Sequence, residues 1–372
     1  MISTAKIKEH VDMNKLSLLP LALLLASCGG APSSQESKAT GLSTEESKAT
    51  GLSSEVTGVS SEATGLSTEE SEATGLSSEA TPYSLDVKVA TPAGAPAVGL
   101  FRHLASENLE VNADPASVAA YMSESSGKDV VILPTNAGLT SIVKKAAPYK
   151  LAATLTFGNF YLAATGHDDD SQLDADDYVV LFQQNNVPDK LFQYCYGDLN
   201  LTNTHYVTAA TDAQRVLISG VNEADDNAPA DYVLIAEPAF TAAKSKNADI
   251  SEYSSLQSVF KEKSGGKEIT QASIFVANSS DKAKVSVFLS EIEKDLNSFL
   301  ANPDVLDEAT KDLDAAFVQS KLSAPAAMLK NMAKANNRMG LGYKKAYDNK
   351  ESIAEFMKLF GMNEVNEEVY YQ

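Results

Sequence analysis

The sequence predicts an α/β fold of two lobes, in which each lobe is a mostly parallel sheet flanked by helices and a cleft separates the lobes. Three observations lead to this prediction. Strand-like apolar runs alternate with helical stretches from residue 85 onward. The alternation occurs twice in tandem, and the run Asp129–Leu133 is almost continuously apolar, as in a strand that is buried on both faces. Residues 83–372 are numerous enough to bury a large core.

The first unit has the βαβαβ order that gives a parallel sheet wrapped by helices. Leu85–Ala90 alternates apolar and polar residues, which indicates a strand, and Pro134 to Asn136 open a helix. In chain order the predicted elements are the strand Leu85–Ala90, the loop Thr91–Pro96, the helix 97–105, the strand 109–111, the helix 115–123, the strand 129–133, the helix 137–145 and the strand 149–156.

The second unit repeats the pattern. Pro188 suits the first turn of a helix, and Thr211 is a plausible N-cap for the helix that follows it. The predicted elements are the strand 178–182, the helix 188–196, the strand 205–207, the helix 212–219, the strand 231–236 and the helix 239–244. A further strand at 269–276 precedes helices at 281–300, 303–318, 325–335 and 350–360. We therefore expect one lobe from residues 83–163 and 269–372, and the other from residues 164–268.

The N-terminal region has the layout of a secretory signal. Lys15 precedes the apolar run Leu16–Leu25, and small residues then lead to Cys28. The run is too short to span a membrane. The sequence Leu25-Ala26-Ser27-Cys28 resembles the lipobox of bacterial lipoproteins, which implies that residues 1–28 are a signal peptide and that Cys28 is lipidated. An ordinary secretory signal is the alternative. Met13 resembles a genuine start site.

Residues 29–82 form a low-complexity segment. The pentapeptide Ala-Thr-Gly-Leu-Ser recurs from Ala39, Ala49, Ala63 and Ala73, with a variant from Val56. The segment is rich in Ser, Thr and Glu and contains no aromatic residue before the folded body, so it cannot bury enough surface to fold. We expect a flexible stalk with a reach of roughly 40 Å. An adhesive or glycosylated repeat is the alternative.

Composition and motifs exclude several functions. The net charge is −20, and most of it lies in the folded body, which disfavours nucleic acid as a partner. Cys195 is the second of two cysteines and is expected to be a buried apolar residue; the alternative is a catalytic thiol. His167–Asp170 lacks the glycine and terminal Glu of a calcium loop. No metal, cofactor or catalytic residue is therefore predicted.

Four loops are expected to meet at the cleft, because ligands bind beyond the carboxyl ends of the strands in open α/β sheets. They are Thr91–Pro96, Pro134–Ala137, Gln183–Pro188 and the Glu237-Pro238 turn. Their side chains include hydrogen-bonding amides, and nearby aromatic residues could form a flat wall. Turn formation or capping is the alternative for the amides, and core packing for the aromatics. The candidate ligand-binding residues are Thr91, Ala93, Gly94, Thr135, Asn136, Phe157, Asn159, Phe160, Gln184, Asn185, Asn186 and Glu237.

The order of these motifs resembles a known family. A lipobox, the Thr91–Pro96 loop, the run Asp129–Ala137 and the Glu237-Pro238 turn are similar to the substrate-binding lipoproteins of bacterial ABC importers. The resemblance is to the nitrate, sulfonate and thiamine-precursor branch, which has the type 2 periplasmic-binding-protein fold. Phe157–Leu162 falls where that family crosses between lobes. The acidic segments at 168–170 and 225–226 depart from the family.

The resemblance implies a monomeric, lipid-anchored protein on the extracytoplasmic face of the membrane. It would bind a small solute without chemistry and deliver it to a permease and its ATPase. Arg102 and Arg215 are the nearest arginines to the predicted loops, which favours a neutral or aromatic solute over an oxyanion. A surface adhesin displaying the repeats, or an extracellular enzyme, are the alternatives; the enzymes of this fold use a histidine cluster that is missing here.

Overall fold

The computed structural model describes residues 85–166 and 172–372. The predicted signal peptide, Cys28, the repeat segment and the His167–Asp170 stretch lie outside the described residues. The described residues belong to one compact unit. No helix among them is both long and apolar enough to cross a membrane.

Strands and helices alternate in the first two thirds of the described chain, and the last third is mainly helical. The strands are β1 (Val89–Pro92), β2 (Leu109–Asn112), β3 (Val130–Pro134), β4 (Tyr149–Thr156), β5 (Phe160–Ala164), β6 (Val179–Phe182), β7 (Thr204–Val207), β8 (Val221–Asn222), β9 (Ala228–Pro229), β10 (Tyr232–Ala236), β11 (Ser251–Ser255), β12 (Ala272–Ala277) and β13 (Leu341–Lys345).

The helices are α1 (Ala95–Val98), α2 (Pro115–Ala119), α3 (Thr135–Lys145), α4 (Val187–Tyr196), α5 (Ala210–Ser219), α6 (Ala239–Lys244), α7 (Leu256–Lys263), α8 (Lys282–Ala301), α9 (Val305–Thr310), α10 (Ala315–Leu322), α11 (Ala326–Lys334) and α12 (Lys350–Lys358).

Two sheets organise the fold. The first has six strands in the order β13-β4-β12-β3-β1-β2, and the second has five in the order β11-β5-β10-β6-β7. Each sheet has a parallel half, β3-β1-β2 in the first and β10-β6-β7 in the second. The other strands pair antiparallel. The predicted α/β architecture of two helix-flanked sheets is confirmed, and the βαβ units account for the parallel halves. The expectation of mostly parallel sheets is wrong, because antiparallel pairs outnumber parallel pairs in the first sheet and equal them in the second.

The chain crosses between the sheets at residues 157–159 and returns between α7 and β12. The expected first lobe extended to Ala163, whereas β5 pairs with β10 and β11 of the second sheet. Apolar character alone does not reveal which strand a segment will pair with. If the lobes are defined by the two sheets, the chain therefore first crosses between them just before β5.

Helix α8 shows how the sequence sets the packing of the first sheet. Asp281 caps it, because its Oδ1 accepts hydrogen bonds from the backbone N–H of Ala283 at 2.9 Å and of Lys284 at 3.3 Å. Its buried residues recur at helical spacing and form one apolar face: Val285, Phe288, Ile292, Leu296 and Phe299.

Three local expectations are wrong. Helix α5 begins at Ala210, so Thr211 lies inside the helix, and the backbone N–H of Ala209 donates to Asp212 Oδ2 at 3.0 Å. The helix expected at 303–318 is two helices, α9 and α10, because Asp314 caps the second through the N–H of Phe317 at 2.9 Å. The helix expected at 97–105 is α1 followed by a separate 3-10 turn at Phe101–His103.

Candidate functional site

A cavity of about 130 Å³ lies between the two sheets. It is lined from both sides, by residues of the first sheet and its loops and by residues of the second. The lining residues are Pro92, Ala93, Gly94, Ala95, Pro96, Pro134, Thr156, Asn159, Phe160, Phe182, Gln183, Asn186, Val187, Pro188, Ala236, Glu237, Pro238, Gln271, Ala272 and Ser323. We call this cavity the cleft.

The cleft lies where parallel strands end and helices begin. Strands β1, β3, β6 and β10 each place their last residue in its wall, and α1, α3, α4 and α6 follow them. The N-cap residues of these helices, Gly94, Pro134, Asn186 and Pro238, all line the cleft, and none provides a side-chain cap. The first turns of α3 and α4 therefore carry free backbone N–H groups and the positive end of the helix dipole, whereas the carboxylate of Glu237 caps α6 through the N–H of Thr241. The cleft wall can therefore donate hydrogen bonds to ligand oxygen atoms.

The side chains of the cleft provide no positive charge. No Lys, Arg or His is among the described lining residues. Glu237 is the single acidic lining residue, and its carboxylate already has partners. It accepts from Arg338 Nε at 2.5 Å, from the N–H of Thr241 at 3.0 Å and from Thr241 Oγ1 at 2.9 Å. The cleft is therefore electrically close to neutral.

Asn159 fixes one end of the cleft. Its backbone carbonyl accepts from the N–H of Glu237 at 3.0 Å, and its Nδ2 donates to the carbonyl of Glu237 at 3.0 Å. Its Oδ1 is buried and has no hydrogen-bond partner in the described part of the chain. Gln271 also lines the cleft, and its Oε1 is likewise buried without a partner there. Buried acceptors of this kind are uncommon in folded proteins.

Most of the remaining lining residues of the cleft are apolar. Phe160 and Phe182 lie with ring centroids 6.2 Å apart and tilted planes. Prolines contribute from both sides, because Pro92 and Pro134 end strands of the first sheet and Pro188 and Pro238 begin helices of the second. Such a surface suits a flat apolar body with a few polar groups.

Arg338 connects the two sheets beside the cleft. It lies between α11 and β13, on the side of the first sheet, and its ion-pair partners Glu237 and Glu252 belong to the second. Its guanidinium lies 4.2 Å from the ring centroid of Tyr161 and 4.9 Å from that of Phe240. Tyr161 donates from its hydroxyl to the backbone carbonyl of Arg338 at 2.9 Å. Arg338 was not predicted as a site residue, because no motif near it in the chain marks it.

Six of the sequence-predicted site residues line the cleft: Ala93, Gly94, Asn159, Phe160, Asn186 and Glu237. The other six do not. Thr91 and Thr135 are fully buried, and Thr135 Oγ1 hydrogen-bonds Ser273 Oγ at 2.7 Å. Asn136 and Phe157 are also buried, with Lys344 Nζ lying 5.2 Å from the Phe157 ring centroid.

The two amides Gln184 and Asn185 are exposed and lie at the outer end of their loop. Asn185 has a φ of 65°, and its N–H donates to Asp189 Oδ2 at 2.6 Å, so it makes the turn before α4. This is the turn-forming alternative that the sequence left open.

Several lining residues went unpredicted for different reasons. Pro92, Thr156 and Phe182 end strands, and their position follows from the same carboxyl-end rule that marks the loops. Gln271 and Ser323 reach the cleft from distant parts of the chain, and no local signal identifies them.

Cys195 and Tyr178 are buried titratable groups away from the cleft. Cys195 is buried, and burial raises the pKa of its thiol to about 12, which leaves it un-ionised at neutral pH. Tyr178 stacks on His205 with centroids 4.0 Å apart and donates to Asp225 Oδ2 at 2.6 Å. Burial, followed by this hydrogen bond, raises the pKa of Tyr178 to about 12. No group of three or more metal-ligating His, Cys, Asp or Glu residues occurs in residues 85–166 and 172–372.

Sequence comparisons give no relatives. No protein-family model matches the chain, and no curated protein matches it.

Solved structures do resemble it. An ABC transporter structure from Parabacteroides distasonis is 16% identical, with a TM-score of 0.58, over 75% of this chain and 92% of that one. The periplasmic aliphatic sulphonate binding protein SsuA from Escherichia coli is 10% identical, with a TM-score of 0.53, over 77% and 92%. The ligand-binding component of an ABC-type import system from Staphylococcus aureus, solved with zinc bound, is 11% identical, with a TM-score of 0.53, over 78% and 97%. The chain therefore has the periplasmic-binding-protein fold, as the resemblance in its sequence predicted.

Proposed function

We propose that this chain is an extracytoplasmic solute-binding protein that delivers a small molecule to an ABC importer. The cleft carries the proposal: two sheets meet around a cavity, and the N-cap residues of four helices line it. The solved structures that share the fold are described as transport or ligand-binding components. Proteins of two-lobed design capture ligands by closing the lobes on a hinge. No group in the described cleft is arranged for catalysis, so we propose binding without chemistry.

The lobes expected from the sequence are residues 83–163 with 269–372, and residues 164–268. We propose these lobes with one change: the first boundary lies at residues 157–159, so that β5 belongs to the second lobe, as its strand pairing requires. Both crossing segments then form the hinge region. The protein acts as a monomer in this proposal, and closure of the lobes presents a single surface to the permease.

The proposed solute is neutral, and an aromatic body suits it. A cleft without a cationic side chain gives an oxyanion no counter-charge apart from helix dipoles. The tilted pair Phe160 and Phe182 offers an apolar surface to a flat ring.

The proposed location is the outer face of the membrane, with a lipid on Cys28 and residues 29–82 as the tether. Cys28→Ala tests the anchor: metabolic labelling with a tritiated fatty acid should mark the unaltered chain and not the variant. Labelling of both chains would contradict attachment at Cys28.

A thermal-shift screen of the purified chain against neutral vitamins, amines and sulfonates tests solute binding. A ligand at 100 times its dissociation constant should stabilise the protein by about 2.7 kcal/mol. Ala95→Phe places a ring at the half-buried first position of α1 in the cleft wall and should abolish the shift. The matched control Ala315→Phe changes the exposed first position of α10 and should preserve it. A shift that survives Ala95→Phe would place the ligand elsewhere.

A further inference from the structure

Asn159 is a buried polar residue of the cleft wall. The residue is 7% exposed, and two hydrogen bonds of 3.0 Å hold it against Glu237. One of them uses Nδ2 as the donor to a backbone carbonyl, which cannot itself donate. The orientation of the amide is therefore fixed by its neighbour, and Oδ1 is the acceptor that remains.

This acceptor has no partner among the described residues. Asn159 Oδ1 is buried and unpaired there, although Nδ2 and the backbone carbonyl of the same residue are both hydrogen-bonded to Glu237. A buried acceptor without a partner is unfavourable, and native structures retain few of them. The residue lines the cleft, so a molecule in the cleft can supply the missing donor.

A second buried amide acceptor lies in the other crossing segment, between α7 and β12. Gln271 precedes β12, and its backbone is held by the carbonyl of Thr156 at 2.9 Å and by the N–H of Thr135 at 3.1 Å. Its side chain lines the cleft with Oε1 buried and unpaired. The two crossing segments thus each present an acceptor, while the N-termini of α3 and α4, which lack a side-chain cap, present donors.

We propose, on the basis of the proposed function, that the solute is an uncharged amide, lactam or ureide whose N–H group donates to Asn159 Oδ1. An N–H donor satisfies the unpaired amide oxygen, and the adjoining carbonyl of such a molecule accepts from the helix N-termini. The solute carries no charge, because the described cleft offers no cation and its single carboxylate is paired with Arg338. The tilted aromatic pair fits a planar heterocycle of this class.

Matched pairs of probes test the proposal on the unaltered full-length chain. The probes are uracil and hydantoin, their fully N-methylated forms, and nitrate and methanesulfonate as oxyanions. Titration calorimetry and thermal shift should show binding of at least one N–H-bearing probe. N-methylation of that probe should weaken binding by about tenfold or more, since it removes the donor and leaves the buried acceptor unpaired.

The variant Asn159→Leu should lower the affinity for the N–H-bearing probe about tenfold and should remove the preference for this probe over its N-methylated form. Asn331→Leu makes the same change on the exposed face of α11, outside the cleft lining, and should leave both affinities unchanged. Circular dichroism and thermal melting establish that each variant folds. The comparison between probes on the unaltered chain decides the matter even if Asn159→Leu does not fold.

The outcomes separate this inference from the proposed function. Binding of oxyanions but not of the heterocycles, or equal binding of N–H and N-methyl forms, would overturn the inference and leave solute binding intact. Absence of binding by every probe, together with a negative solute screen, would overturn both.

Discussion

Arg338→Ala should destabilise the protein strongly, because it removes the cation that balances a buried carboxylate. The side chain of Glu237 is 0% exposed, whereas that of Arg338 is 22% exposed, and their atoms are 2.5 Å apart. Removing one partner of a buried ion pair costs about 3–5 kcal/mol, since the other charge stays buried. The two remaining donors to Glu237, both from Thr241, are neutral and cannot replace the charge.

Other contacts of Arg338 add smaller amounts. The stacked position over Tyr161 and Phe240 contributes about 0.5–1 kcal/mol, and the more exposed pair with Glu252 at most about 1 kcal/mol. We therefore expect Arg338→Ala to lower the free energy of unfolding by about 3 kcal/mol or more. Because the partners belong to different sheets, the variant should also favour a more open arrangement of the lobes.

Urea unfolding measures the loss of stability, and small-angle scattering measures the opening. The matched control is Arg215→Ala, whose guanidinium is 69% exposed and pairs with Asp212 one helical turn away, so it should change stability by less than about 0.5 kcal/mol. A double-mutant cycle with Glu237→Gln should show strong coupling to Arg338. The reasoning fails if Arg338→Ala matches the Arg215 control, or if the two changes are additive.

Gly340→Ala should lower the free energy of unfolding in urea by at least about 1–3 kcal/mol, because the φ of Gly340 is 60° and a Cβ there would lie 2.4 Å from the backbone oxygen of Gly158 in the crossing segment. The control Gly361→Ala should cost less, because Gly361 has a similar φ of 73° but open space around its Cβ position. Equal losses of stability in the two variants would contradict this explanation. The thiol of Cys195 should resist Ellman's reagent at about pH 8 until the protein unfolds, and rapid labelling of the native chain would argue against its raised pKa. A hydrogen bond from Lys128 lowers the pKa of Glu110, so its contribution to stability is present above the ordinary carboxyl pKa and is lost as the pH falls through the lowered value. Lys128→Met should flatten this acid dependence in melts between about pH 3 and 6, and an unchanged profile would refute the assignment.

The sequence predicted buried elements more accurately than exposed ones. Strand β4 and helix α6 begin and end where the sequence predicts, because a buried apolar run and a proline-initiated turn mark them. Strand β11 and strand β13 were missed, since they are exposed or half-buried edge strands that carry polar residues and have little apolar periodicity. The pairing of β5 with the second sheet depends on strands distant in sequence.

The same distinction applies to the cleft. The loops after β1, β3, β6 and β10 were predictable, because the carboxyl ends of parallel strands meet at one edge. The sequence could not predict which residue of each loop faces the cleft. For example, Gln183 lines the cleft, whereas its neighbour Gln184 is exposed. Gln271 and Arg338 were beyond sequence reasoning, since tertiary packing alone brings them to the site.

Native mass spectrometry of the chain purified from its own cells, followed by a crystal structure with the retained molecule, tests solute capture most directly. We expect one small uncharged molecule per chain, bound in the cleft between the sheets, with an N–H group facing Asn159. A chain that carries no molecule and stays unaltered on incubation with a cell-derived metabolite extract would contradict solute capture. A molecule bound outside the cleft would contradict the site.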